Sequence, residues 1–226
     1  MTKQVLRTKA RDLLTELWLK RGEIWEAPPS GDTFFPVRTE HIIRHVLQAQ
    51  LDEPEELPRE KNGSDVAGLV DRSNNIIRVA QKYPQEWRRF TAAHEIGHWV
   101  LHPRMVLHRD RPLAGHERSN TARSSREVEA DIFASELLMP KRALTKLFET
   151  NFGGAVNLSR PGLLQWLATN SGKSEIALSA DLRQRSLAVA SATSANPGAT
   201  LVPLAKRFGV SPTAMAIQLE EMELVS

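Results

Sequence analysis

In residues 83–103, YPQEWRRFTAAHEIGHWVLHP, two prolines bracket a run interrupted by no breaker other than Gly97. Proline is tolerated in the first turn of a helix, where its missing N–H is no loss, and Pro103 enforces a stop. The run between them is therefore expected to be one helix with HEIGH inside it. On a helix His94 and His98 lie one turn apart on the same face, so their imidazoles can converge on one ion at ~2.0–2.1 Å. Glu95 is about 100° further round, poorly placed as a third ligand but well placed for a water at the open metal position. His102 continues the four-residue spacing, yet three histidines in a row along a helix cannot ring one tetrahedral ion. It is read as a helix-end residue interacting with the C-terminal dipole.

A site of two histidines needs a third donor from another segment. The chain has no cysteine, which excludes thiolate ligands and disulfides and leaves His, Asp or Glu. Downstream, SSREVEADIFASELLMP at 124–140 reads as a helix from Ser124 or Ser125 to Leu138 or Met139, stopped by Pro140. Glu127 and Glu129 are two residues apart, so on a helix they point about 200° away from each other and only one can face the metal. Glu127 has Asp131 one turn later on its own side, where Asp131 can receive the outer N–H of a ligand histidine. That spacing favours Glu127 as the ligand, with Glu129, followed at the same interval by Phe133, as the alternative. Ser124 and Glu127 also match a capping box, a use that leaves Asp131 without a role.

Working outward, VAGLVDRSNNIIRVAQ at 66–81 holds two short β-rich runs around a polar turn and is expected to be a hairpin. Helices are expected over 3–20 and from Thr39 to about Gln50, with a solvated loop over the acidic stretch 51–65. Residues 105–123 read as a surface loop between helices, and 145–200 as helical pieces separated by breakers. The expected fold is α+β, with a small antiparallel sheet beside the HEIGH helix and a mainly helical C-terminal half. The expected boundary separates residues 1–145, carrying the metal site, from residues 146–226. Of 226 residues 41% are hydrophobic, enough for a core. A net charge of +3 is too mild and too dispersed to mark a nucleic-acid binder. Charges at Arg7, Lys9, Arg11, Asp12 and Glu16 interrupt any apolar run of signal-peptide length, so a cytoplasmic protein without a membrane segment is expected.

The run RRFTAAHEIGHWVLH followed by EVEADIFASELLMP resembles the ImmA/IrrE family of zinc metallopeptidases, HEXXH enzymes of gluzincin-like type. GLVDRSNNIIRVAQ is similar to that family's strand region, and LAKRFGVSPTAMAIQLEEMELV at 204–225 to its closing helix-turn-helix-like segment. The resemblance implies a zincin-like fold, a Zn2+ ion held by His94, His98 and Glu127, and Glu95 as catalytic base. It further implies an intracellular endopeptidase that cuts a helix-turn-helix repressor, here one supplied in trans, to release stress or mobile-element genes. The segment of roughly 150–195 is longer than usual for the family and receives no role from it.

Two other functions compete. A zinc-bound regulator acting by contact rather than hydrolysis would keep the same ligands. A DNA-binding regulator is suggested by residues 204–225, with a turn at Gly209 and a second helix opened by Ser211 and Pro212. After Arg207, however, this segment has no Lys or Arg, while Glu220, Glu221 and Glu223 repel phosphate. It reads as a packing or docking element, which argues against direct nucleic-acid binding. Strand addition of substrate along the hairpin, at Val66–Val70 or Ile76–Ala80, is a further expectation. The sequence does not name the oxyanion donor; His108, His116 and the arginines of 104–123 are candidates for it.

Overall fold

A computed structural model describes residues 1–31, 34–59, 63–105, 107–110, 124–156, 162–193 and 201–226, with 107–110 described by backbone alone. Two compact units emerge, Met1–Leu138 and Met139–Ser226. The fold is mixed α and β, mostly helical, with one small sheet.

The first unit opens with α1 (Lys3–Leu19), where the Thr2 hydroxyl accepts the Val5 N–H. Leu6, Ala10, Leu13, Leu14 and Leu17 recur at helical spacing and are buried. After the single turn α2 (Arg21–Ile24), the helix expected from Thr39 is short. Here α3 (Thr39–His41) passes into a π-helical turn over Ile42–Val46, and Gln48 takes a left-handed φ of 55° that ends it. The chain then enters β1 (Gln50–Asp52), so a strand begins where the sequence suggested helix and then loop.

The hairpin forms as β2 (Gly68–Asp71) and β3 (Ile76–Val79), antiparallel and in register from Gly68↔Val79 to Asp71↔Ile76. Its turn is closed by the Asp71 carboxylate, which accepts from the Asn74 backbone and side-chain N–H at 3.2 and 2.7 Å. Asn75, with φ 56°, donates its side-chain N–H to Gln48 O at 2.8 Å, which brings β1 beside β3. A fourth strand, β4 (Leu107–Asp110), pairs antiparallel with β2. The order is β1-β3-β2-β4, and β1 runs parallel to β3. The sheet is therefore mixed rather than wholly antiparallel. Both hairpin strands are interior, which removes the expected strand-addition edges; the outer strands are β1 and β4. The acidic stretch after β1 is also not all solvated, since Leu57 packs in a buried cluster with Val66, Leu69 and Ala80, against Tyr83.

Across one face of the sheet lies α4 (Gln85–Leu101), in contact with β2 and β3. Pro84 occupies the position just before its first turn, and His102 its end, ahead of Pro103. The next helix, α5 (Ser125–Leu138), packs against both α4 and α1. Its approach to α4 depends on Gly97: a Cβ there would lie 3.2 Å from Ala130 Cα and O and 3.3 Å from Phe133 Cδ1. The glycine of HEIGH is thus where the two helices touch.

The second unit is helical among its described residues: α6 (Lys141–Phe152), α7 (Leu163–Ser171), α8 (Glu175–Ala180), α9 (Leu182–Ser191), α10 (Leu204–Phe208) and α11 (Pro212–Glu221). Among its described residues an isolated parallel bridge, Val156↔Val225, joins the segment after α6 to the segment after α11. Gly209 is left-handed and closes α10, and the Ser211 hydroxyl caps α11 by accepting the Ala214 N–H at 3.1 Å. α11 lies on α9, with Arg183 bound to Glu220 through two bonds of 2.7 Å. No helix among the described residues is long and apolar enough to cross a membrane.

Candidate metal centre

Because α4 is continuous through HEIGH, His94 and His98 share the face turned toward α5, and both are completely buried. Their Nε2 atoms are 2.9 Å apart. From α5, Glu127 Oε2 lies 3.2 Å from His94 Nε2 and Glu127 Oε1 3.5 Å from His98 Nε2. One donor atom from each of His94, His98 and Glu127 falls within 4.8 Å of the other two, the metal-capable cluster of this kind found among the described residues. Four ligands at about 2.1 Å around a tetrahedral ion stand about 3.4 Å apart, and the three separations straddle that edge.

The donor chemistry fits a dication as well as the distances do. His94 Nδ1 is 2.9 Å from Asp131 Oδ1, so as a neutral ring it carries its proton there and turns a lone pair on Nε2 inward. His98 Nδ1 is likewise engaged, 3.0 Å from His102 Nδ1. Two inward lone pairs and a carboxylate at such range repel one another unless a cation lies between them. The backbone N–H of Glu127 also donates to the Ser124 hydroxyl at 3.4 Å. Capping and site-building coexist: the main chain completes the helix start while the carboxylate turns to the histidines.

Glu129 goes elsewhere. Its carboxylate bonds the N-terminal ammonium and lies 3.1 Å from His102 Nε2, and these hydrogen bonds, the ammonium's first, hold it below the usual carboxylate range. His102 caps the end of α4, where the sequence places it, and its ring also lies between His98 and Glu129. The last carbonyls of α4 are also served by Arg72 at the hairpin turn, which donates to His98 O at 3.3 Å and to Trp99 O and lies over the Trp99 ring.

Glu95 is buried and points toward β2. There Gly68 makes room: a Cβ on it would fall onto Glu95 Oε1 and lie 2.8 Å from Glu95 Cγ and 2.7 Å from Thr91 Cγ2. Gly68 and the bridging role of His102 escaped the sequence reading. A glycine inside a strand is the signal that marked the first, since it denotes a close approach by something else. The proposed oxyanion residue His116, and the side chain of His108, lie outside the described residues.

Comparison with known proteins supports the same segment. A family model described as the IrrE N-terminal-like domain, peptidase M78, matches residues 55–170, about half of the chain. Uncharacterized immunity region protein 2 of Bacillus phage phi105 is 35% identical over 82 residues, 36% of this chain and 49% of that protein. The chain thus spans about half the length of this curated relative.

Proposed function

The chain belongs to the IrrE N-terminal-like domain family of peptidases, and on that premise we propose that it is a zinc-dependent endopeptidase acting on a separate regulatory protein. The observation that carries this reading is the convergence of His94, His98 and Glu127 within 4.8 Å, on a helix that also bears Glu95. Two imidazoles and one carboxylate form a set suited to zinc that leaves a position open. When bound, the ion would supply Lewis acidity to a peptide carbonyl and acidify a nearby water.

The protein's own groups do the rest. Asp131 fixes the tautomer of His94, and Glu127 supplies the negative charge that balances part of the cation's. Glu95 takes the proton of the attacking water and returns it to the departing amine, for which a carboxylate within hydrogen-bond reach of both is needed. Close packing on Gly68 holds that carboxylate in one place, which limits the reorientation needed at the transition state.

The substrate class is read from the resemblance, a helix-turn-helix repressor in trans, with derepression of stress or mobile-element genes as the outcome and the cytoplasm as the place. The relative named for a phage immunity region supports a regulatory rather than a digestive role. Co-incubation with repressors from neighbouring genes, with and without chelator, tests the reading. Cleavage should vanish with chelator and fall about 100-fold or more in Glu95→Gln, while that variant keeps its zinc. A Glu95→Gln protein that still controls its target in cells would overturn hydrolysis in favour of regulation by contact.

A further inference from the structure

We infer that His102 and Glu129 together position His98 for the metal, as a two-residue counterpart of the single Asp131 behind His94. The inference rests on the metal-site reading above and extends it to residues that touch no ion.

The hydrogen-bond directions leave one arrangement. For His98 to offer an Nε2 lone pair to a cation, its proton must be on Nδ1. That Nδ1–H is 3.0 Å from His102 Nδ1, which can accept only if the His102 proton is on Nε2. His102 Nε2–H then meets Glu129 Oε2 at 3.1 Å, and a carboxylate accepts it. Each link has one donor and one acceptor, and the chain ends on a carboxylate of α5, as the chain behind His94 does at 2.9 Å. The third histidine of the i, i+4 series is too far along the helix to reach the ion, yet well placed to reach the ring before it. The apparent surplus of one glutamate on α5 is explained in the same way: Glu127 faces the donor set and Glu129 faces the back of it. His102 and Glu129 are both mostly shielded from solvent, 9% and 17% exposed, so their bond is not lost to screening.

A ring held in one tautomer and one orientation binds metal more tightly, and losing such an outer partner typically costs 10- to 100-fold in affinity. The test is competition of the full-length protein with a chromophoric chelator for Zn2+, together with the visible absorption spectrum of the Co2+ form. His102→Leu, which removes the acceptor, should weaken Zn2+ binding about 10- to 100-fold and alter the Co2+ bands. His102→Asn, whose side-chain oxygen falls near the lost Nδ1, should recover most of both. Glu129→Gln should bind better than Glu129→Ala, and that pair decides the matter if His102→Leu does not fold. Wild-type affinity and spectrum in His102→Leu would overturn the inference, as would folded His102→Asn behaving no better than His102→Leu. A wild-type protein that binds neither ion overturns the metal reading itself, a different result from equal binding by wild type and variant.

Discussion

The helix pair α4–α5 and the helix pair α9–α11 anchor their respective units, and they spend their contact surfaces differently. Between α4 and α5 the chain buries His94 and His98 completely, and α4 also buries Glu95; Gly97 and Ala130 provide the close approach. On α9 and α11 the buried groups are aliphatic residues such as Ala188, Val189, Met215, Ala216 and Leu219 together with Ser186, Thr213, Gln218 and Arg185. The Arg185 guanidinium donates to Leu178 O and Ser179 O, and the Arg183–Glu220 pair is more exposed. Burying ionisable groups opposes folding unless they are hydrogen-bonded or coordinated, whereas burying aliphatic side chains favours it. The first pair gathers a potential donor set of two histidines and a carboxylate, whereas the buried arginine of the second is bonded to backbone carbonyls amid aliphatic packing.

The largest expected effect comes from metal removal. An ion present at 1,000 times its dissociation constant adds about 4 kcal/mol of stability. Chelation should therefore lower amide protection in α4 and α5 more than in α9 and α11, as read by hydrogen exchange. Equal losses in both pairs would break the contrast. Next comes Gly68→Ala, which forces a methyl group against Glu95 and Thr91 and should cost roughly 1–3 kcal/mol by overpacking. Its diagnostic is a fall in peptidase activity larger than the fall in zinc content, because Gly68 abuts Glu95 and not His94, His98 or Glu127. The smallest effect belongs to Arg183→Ala. Its side chain is 39% exposed, so despite two short bonds to Glu220 the loss should not exceed about 1 kcal/mol in chemical denaturation, with zinc affinity unchanged. A larger loss would mean that the rim of the second helix pair carries more than packing.

Much of the active-helix region was legible because its signals are local. Pro84, the apolar spacing and Pro103 delimit α4 within a few residues, and the hairpin is announced by its Asp-Arg-Ser-Asn-Asn turn. The misread elements depend on distant partners. Nothing in Gln50-Leu51-Asp52 marks a strand; it becomes one because Asn75, 27 residues on, holds the Gln48 carbonyl and brings β3 alongside. That added strand, with β4, turns both hairpin strands into interior ones and relocates the sheet edges. The partner of His102 was missed for a similar reason: its place at the end of α4 is visible in the sequence, but its carboxylate partner is on another helix.

By itself, the sequence determined that His94 and His98 share a helix face, that Glu95 does not, and that Glu127 and Glu129 cannot point the same way. All of these follow from the 3.6-residue period acting within one element. Between those two carboxylates the sequence favoured Glu127, through Asp131 one turn later, but only the tertiary structure decided which one meets the histidines. The close crossing at Gly97 and Ala130 sets α5 so that Glu127 and Asp131 approach His94 while Glu129 reaches His102. The rotation of one helix against another is set by how their side chains interdigitate, and that depends on residues far apart in the chain.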